Sequence, residues 1–351
     1  MRTATTVLNI VQDRGQCGLP LGQVYRQLYN RDLYLKAYAK IYANKGAMTK
    51  GTTEETVDGM TLAKIDAIIE ALRSERYRWT PVRRTYIPKR NGKQRPLGVA
   101  SWSDKLLQEV IRMILEAYYE PQFNSHSHGF RPQRGCHTAL REITHRWRGV
   151  KWFIEGDIRS YFDRIDHTQV LNILREKIHD NRFIHLINQL LKAGYLEDWH
   201  YYATYSGVPQ GSICSPILSN LVLDKLDWYV EQELTPAHTR GRRRKTHSPY
   251  VALTKAASKA RKVGDRELAK VYNRQAQAIP SRDPNDPNFR RLWYVRYADD
   301  VLLGFIGPKA EAMEIKKQLA EFLHDELAQE RSRREDPYYT RSYRQSSLPG
   351  I

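Results

Sequence analysis

The sequence predicts an α+β fold, and three observations carry that reading. Two apolar runs rich in β-branched and aromatic residues, 292–295 and 301–306, flank Tyr297-Ala298-Asp299-Asp300 and read as a strand hairpin. A further short run, 152–158, reads as a strand that reaches Asp157 and leads into a helical pattern. Residues 104–119 place Leu106, Leu107, Val110, Ile111, Ile114 and Leu115 along one face of an amphipathic helix.

In chain order, residues 33–42 and 62–72 read as helices. Between them lie a Gly/Thr/Lys-rich loop at 44–53 and a turn at Asp58-Gly59. Residues 83–99 read as a hairpin: Thr85-Tyr86-Ile87-Pro88 runs to a turn at Asn91-Gly92 and returns through Arg95-Pro96-Leu97. After strand 152–158, a helix entered through Ser160 and Tyr161 is expected to continue to about residue 179. The loop Gly207-Val208-Pro209-Gln210-Gly211-Ser212 precedes another helix, with Ser215 a good N-cap and Pro216 a good first residue. Ile217, Leu218, Leu221, Val222 and Leu226 form its buried stripe. From 233 to 291 the composition turns basic, opening with Arg240-Gly241-Arg242-Arg243-Arg244-Lys245 and continuing as one Arg/Lys/Ala-rich helix over 251–277. This reads as an inserted arm, either a solvated helical face or a nucleic-acid contact. A charged helix is expected over 309–329, and the tail from 331 to 351 has no clear period.

At 351 residues the chain can bury a large core and divide into two or three subdomains. Lys and Arg outnumber Asp and Glu by 57 to 39, a net charge of +18. That excess favours a polyanionic partner, with a basic surface kept for solubility as the alternative. Cys17, Cys136 and Cys214 stand far apart and form no metal-type pair, which argues for a reducing, intracellular compartment. No stretch reaches membrane-spanning length, so a soluble, cytoplasmic protein is expected.

Adjacent aspartates repel each other at neutral pH, and a divalent cation removes that objection. A polar turn is the plainer alternative. Asp157 lies at a strand end, as Asp299 does; if the strands are neighbours, three carboxylates converge. Three acids on a rigid sheet match a two-metal phosphoryl-transfer site, whereas Asp157 alone also suits a helix N-cap. His128, His137 and His167 are not at ligand spacing, and no Gly-x-Ser-x-Gly, Walker loop or dinucleotide fingerprint is present.

An ordered series of motifs over about residues 43 to 330 resembles reverse transcriptases, most closely those encoded by bacterial group II introns. Arg84-Thr85-Tyr86-Ile87-Pro88-Lys89 with Gly92-Lys93-Gln94-Arg95-Pro96-Leu97-Gly98 looks like the fingers hairpin. Ser127-His128-Gly129-Phe130-Arg131-Pro132, with Arg134-Gly135-Cys136-His137, is similar to the second block, distinctive of the group II branch. Asp157-Ile158-Arg159-Ser160-Tyr161-Phe162-Asp163 looks like palm motif A, Gly207 to Ser212 with Ser215-Pro216 like motif B, and Tyr297 to Asp300 like motif C. Retron enzymes share the acid pair but not the Ser-His-Gly-Phe-Arg-Pro block, so they are the nearer alternative.

The resemblance implies a right-hand polymerase with fingers and a palm, the palm sheet mostly antiparallel and flanked by helices. The expected division is an N-terminal extension at 1–80, fingers at 81–148 with helix 104–119 leading into the palm, and a palm at 149–330 interrupted by the basic insertion 233–291. Asp157, Asp299 and Asp300 would hold two Mg²⁺ ions, with the carbonyl of Ile158 as a further ligand. Arg83, Lys89 and Arg95 would grip the incoming triphosphate. Phe162 would exclude a ribose 2′-hydroxyl, Gln210 would line the nascent base pair, and small Ala298 beside Tyr297 would admit the primer end. The implied partners are a group II intron RNA template, a DNA primer and deoxynucleoside triphosphates. An RNA-binding splicing cofactor (a maturase) with an idle polymerase site is the second expectation.

The likeness breaks after about residue 330. Back-translating from Glu335 and moving one nucleotide forward permits Lys-Thr-Leu-Ile-Thr-His-Ala-Arg-Thr-Gly-Arg-Ala-Arg-Phe-Leu-Gly, which resembles the next two family blocks. The sequence therefore reads as a frameshifted, truncated copy of a mobile element's enzyme. Its tail at 331–351 is expected to be out of frame and disordered, its thumb absent and its polymerase activity impaired. The encoding DNA decides this: a plus-one frame that hits stops refutes it.

Overall fold

The computed structural model describes residues 2–44, 46–88, 92, 94–157, 166–204, 207 and 211–328. Lys89, Asn91, Ile158, Phe162, Gln210 and the 331–351 tail lie outside the described residues. The N-terminal part is helical: Ala4–Gln16 (α1), Val24–Gln27 (α2), Arg31–Ile41 (α3) and Leu62–Arg73 (α4), with a two-residue strand Leu21–Gly22 (β1). Thr3, Asn30 and Thr61 cap α1, α3 and α4 by accepting from backbone N–H groups of the first turn. A single 3-10 turn, Val57–Gly59, stands where Asp58-Gly59 suggested a bend.

Val82–Pro88 (β2) and Gln94–Val99 (β3) form the expected hairpin. Helix Trp102–Tyr119 (α5) starts two residues before the expected boundary, because Ser101 accepts from Asp104 N and fixes the cap. Its apolar stripe is wholly buried, and Gln108 and Glu109 on its flank are buried as well. A helix enclosed on most of its circumference is a spine of the core. Helix α1 crosses α5 so closely that a Cβ on Gly15 would lie 2.1 Å from Tyr118 O.

Strand Ser127–His128 (β4), helix Cys136–Arg146 (α6) and strand Trp152–Asp157 (β5) follow. Helix His167–Lys177 (α7) is capped by Asp166 and stops two residues short of the expected end. There Ile178–His179 (β6) pairs in parallel with β1 and buries Ile178. Helix Asn181–Leu191 (α8) leads to a hairpin, Tyr195–Glu197 (β7) and His200–Tyr202 (β8). Helix Ser215–Tyr229 (α9) has Cys214, not Ser215, at its N-cap. Ser212 O accepts from Ser215 N, so the preceding turn already draws Ser215 into the helix. The helix runs on through a wider turn, Val230–Leu234, to Ala237, so the insertion begins only near Arg240.

The single basic helix expected over 251–277 is two antiparallel helices, Ser248–Lys262 (α10) and Arg266–Gln277 (α11). Gly264 separates them, and Asp265 caps α11 by accepting from Leu268 N. Strands Arg291–Tyr297 (β9) and Asp300–Ile306 (β10), then helix Lys309–Ala328 (α12), close the described chain.

The palm sheet has the order β4-β9-β10-β5, antiparallel except for the parallel β4–β9 edge. One face packs Ile154, Leu292, Tyr294, Val301, Leu303 and Phe305 against Leu226 and Val230 of the α9 segment and Ile315 and Leu319 of α12. The other face sets Val295 with Ala139 of α6 and Trp147. The fingers sheet, β3-β2-β7-β8, stands separately. The fold is thus α+β in the fingers-and-palm arrangement, and among the described residues no helix is long and apolar enough to cross a membrane.

Because its Cβ would meet backbone, Gly15→Ala is expected to cost about 1–3 kcal/mol of stability. Gly22→Ala, where a Cβ meets nothing within 4 Å, should be close to neutral. Thermal melts of the two variants check this; equal midpoints would remove the close-packing account.

Candidate active site

Strands β9 and β10 are joined by two residues, Ala298 and Asp299, with Tyr297 and Asp300 as the closing pair. Ala298 has φ +54°, a left-handed conformation that costs a non-glycine residue roughly 1–2 kcal/mol. Surrounding bonds hold it there: Ala298 N donates to His128 O at 2.9 Å, and Ala298 O accepts from Arg296 Nη1 at 2.7 Å. Gly129, at φ +86°, lies directly beneath, where a Cβ would come within 2.8 Å of Ala298 N. The second motif block is therefore the seat of the acid turn, and its glycine is required twice over.

The turn places Asp299 half-exposed and Asp300 exposed. Across the next strand pair Asp300 is the Cα partner of Asp157, the last residue of β5. Antiparallel partners have Cα atoms about 4.5–5.5 Å apart. Two of the three candidate carboxylate positions thus face each other, and the third adjoins them in the turn.

Arg296 organises this end of the sheet. It is fully buried, and all five of its N–H groups are used. Nε and Nη2 hold the Asp227 carboxylate at 2.7 Å each, Nη1 reaches Asn220 Oδ1 and Ala298 O, and Nη2 reaches Ser127 Oγ. Burial acts to lower the Arg296 pKa, but the Asp227 carboxylate beside it outweighs burial and holds it above the ordinary value. Tyr294 donates its hydroxyl to the same carboxylate. Burial, then the charge of Asp227, pushes neighbouring Asp224 up to about 6. None of Arg296, Asp227 or Asn220 was singled out by the motif analysis. The available signal was Asn220 and Asp227, polar residues seven apart on the otherwise apolar stripe of α9.

A second network braces the block from α6. His126 Nδ1 meets Glu142 Oε1 at 2.5 Å, and His128 lies within reach of Thr138 Oγ1 and Glu142 Oε2. Burial opposes the Glu142 charge, but hydrogen bonds from His126 and His128 outweigh it and hold the carboxyl at about 2. These histidines are structural, and His167 is too: its Nε2 donates to Gly207 O at 2.7 Å, fixing the start of the 207–212 loop. Burial lowers the His167 pKa, which suits a neutral ring donating one N–H. Gln108 of α5 fixes the loop's other end by accepting from Ser212 Oγ and Ile213 N. Gln210 belongs to this loop and lies outside the described residues.

Gly211, at φ +102°, meets the fingers hairpin, where a Cβ would come within 2.5 Å of Gly98 O and 2.8 Å of Leu97 Cδ1. In the hairpin register Arg83 faces Val99, Thr85 faces Leu97 and Ile87 faces Arg95. Arg83 and Arg95 therefore share the face that touches the loop. Arg83 donates to Lys50 O and Gly51 O, whereas Arg95 is exposed. Of the expected site residues, the structure brings Asp157, Asp299, Asp300, Tyr297 and Ala298 to one sheet end and places Arg83 and Arg95 on one hairpin face. Ile158, Lys89 and Phe162 lie outside the described residues.

Comparison with known proteins gives consistent results. The family described as Reverse transcriptase (RNA-dependent DNA polymerase) matches residues 87–251. The group II intron-encoded protein LtrA of Lactococcus lactis subsp. cremoris is 42% identical over 320 residues, covering 88% of this chain and 53% of that protein. An uncharacterized 91 kDa protein in the cob intron of Schizosaccharomyces pombe is 42% identical over 304 residues, 84% of this chain and 37% of the relative. Protein YkfC of Escherichia coli is 33% identical over 299 residues, 81% and 71% of the two chains. The chain spans about half the length of LtrA and less of the cob intron protein.

Three substitutions test the two braces. Arg296→Ala leaves Asp227 charged and buried, and about 3–5 kcal/mol of stability should be lost. Asp227→Asn added to it should recover part, as denaturant titration would reveal; strict additivity would mean the pair is uncoupled. Glu142, depressed in the fold, contributes stability above its ordinary value of 4.5 and loses it as pH falls toward 2. Glu142→Gln should cost on the order of 2 kcal/mol at pH 7 and flatten the stability profile over that window. Unfolding curves at several pH values between 2 and 7 measure it, and a variant that keeps the parent's slope contradicts it.

Proposed function

The chain belongs to the reverse transcriptases encoded by group II introns, and we propose that it copies an RNA template into DNA at the end of the palm sheet. The observation that carries this reading is the register of Asp300 opposite Asp157, with Asp299 in the adjoining turn. Three carboxylates at a strand end supply the hard oxygen donors that magnesium takes, and two of the positions face each other, so the residues fit the ion. Asp157, Asp299 and Asp300 would hold two Mg²⁺, with the carbonyl of Ile158 as a further donor. When bound, the ions lower the pKa of the attacking hydroxyl and offset charge on the phosphates.

The reaction joins a DNA primer's 3′-oxygen to the α-phosphorus of a deoxynucleoside triphosphate; the bond to the β-phosphate oxygen breaks and pyrophosphate leaves. Such chemistry needs positioning and charge more than covalent help from the protein. Arg95, exposed on the hairpin face beside Leu97, would meet the triphosphate together with Lys89. Arg83 bonds the 50–51 carbonyls and would contribute by fixing the hairpin root or by exchanging those bonds for phosphate oxygens. Gln210, in a loop fixed at Gly207 and Ser212, would lie against the new base pair. Phe162 would bar a ribose 2′-hydroxyl. Tyr297 and the small Ala298 would leave room for the primer end. The template this reading implies is group II intron RNA.

Primer extension on an RNA template with Mg²⁺ tests the proposal. Asp299→Ala should reduce incorporation at least about 100-fold while RNA binding persists. Equal RNA binding with no synthesis by either protein would overturn it in favour of an RNA-binding splicing cofactor.

A further inference from the structure

The insertion holds most of the chain's excess charge. Between 240 and 291 there are fifteen Lys and Arg against four Asp and Glu, a net +11 of the total +18. The four acids are engaged locally. Asp265 caps α11, Glu267 pairs with Lys270 at 2.7 Å, Asp283 accepts from Asn285 N, and Asp286 accepts from Lys245 N and Asn288 N. On α10, Lys255, Lys259 and Lys262 are exposed at i, i+4 and i+7, one stripe of the helix; on α11, Arg266, Lys270 and Arg274 repeat at i, i+4 and i+8. Among the described residues, only Lys270 of these six makes an ion pair. The like charges along each stripe repel, and among the described residues only the Lys270–Glu267 pair offsets part of that cost.

The arm is nevertheless built to hold its shape. Ala257 and Ala260 of α10 and Ala269 and Ala276 of α11 are buried, small residues that let the two helices pack closely. At the root, Arg240 and Arg290 exchange backbone hydrogen bonds of 3.1 and 2.9 Å, and Arg290 is held by Glu311 of α12. Arg244 reaches Gly149 O, so the root lies near the start of β5, at the end of the palm sheet away from Asp157. A surface kept basic only for solubility needs no such anchoring.

The arm also lacks what single-stranded binding uses. Stacking platforms present exposed rings, but Tyr250 and Tyr272 are half-buried and Phe289 lies against the guanidinium groups of Arg244 and Arg291. Cations without exposed rings read phosphates rather than bases. We propose that the α10–α11 arm docks the phosphate backbone of double-stranded RNA, at a surface separate from the polymerase cleft. That the duplex is RNA rests on the reading of the chain as an RNA-copying enzyme.

The test uses the full chain and labelled duplexes of about 20 base pairs, RNA or DNA of one sequence, with the single RNA strand as a third probe. The variant Lys255→Gln, Lys259→Gln, Lys262→Gln, Arg266→Gln, Arg274→Gln removes five charges from exposed positions. Its RNA-duplex affinity at about 0.15 M KCl should fall at least about 10-fold, and the slope of log affinity against log salt should drop by about 3 or more. A second variant exchanging Lys for Arg and Arg for Lys at the same positions should bind like the parent. Primer extension on a short RNA template should be unchanged in both. Unchanged affinity and slope in the Gln variant, or tighter parent binding to DNA duplex or single strand than to RNA duplex, would overturn the proposal. So would loss of extension in a Gln variant whose thermal melt matches the parent's. Binding needs no synthesis, so a parent inactive in extension would count against the polymerase reading alone.

Discussion

A single buried guanidinium ties together the segments on which the acid turn depends. Arg296 links β4 through Ser127, α9 through Asn220 and Asp227, and the turn itself through the Ala298 carbonyl. An ion pair taken out of water is a weak source of net stability, since desolvation offsets most of the attraction. Its value here is geometric. A planar fork with every N–H satisfied admits one arrangement of its partners, and that arrangement includes a left-handed alanine that would otherwise relax. Lysine could carry the charge but could not hold two carboxylate oxygens, an amide, a hydroxyl and a carbonyl together.

The motif blocks meet through backbone as much as through side chains. Gly129 lets the second block lie against Ala298, and Gly211 lets the 207–212 loop lie against Gly98 of the fingers hairpin. Gln108 and His167 then fix the two ends of that loop from helices in the large core. Positions that read as separate sequence signatures are one contact chain, running from the hairpin through the loop and α9 to Arg296 and the acids. Displacement at either glycine would therefore be felt at the carboxylates, because the links between them are close-packed rather than flexible.

Much of this was legible in the sequence where the signal was local. Short apolar runs rich in β-branched and aromatic residues marked β9 and β10, and the 106–115 periodicity marked the core helix, because burial on one helix face writes itself at period 3.6. Local chemistry misled where a competing contact won. Ser215 is a good cap by type, yet the preceding turn draws it into the helix. The 251–277 pattern reads as one helix because its basic and alanine content is uniform, while Gly264 and Asp265 suffice to break it. The β7–β8 hairpin escaped notice because its turn, Asp198-Trp199, takes two positive φ values without a glycine. Arg296 was illegible for another reason: its side-chain partners lie 69, 76 and 169 residues away, beyond any periodicity.

Charge is distributed along the palm sheet in a way that separates two tasks. At one end stand Asp157, Asp299 and Asp300; at the other, near Gly149, stands the root of the arm with Arg242, Arg243 and Arg244. Strand lengths of six and seven residues put these ends roughly 17–20 Å apart. That exceeds the screening length of about 8 Å at physiological salt, so the root cations do little to relieve repulsion among the acids. Arg296 does little either, since its charge is met by Asp227 at 2.7 Å. The fold thus brings the three carboxylate positions to a sheet end where neither the arm's root nor Arg296 is a strong source of compensating charge. A basic sheet end, by contrast, would have favoured binding phosphate there and discouraged the metal.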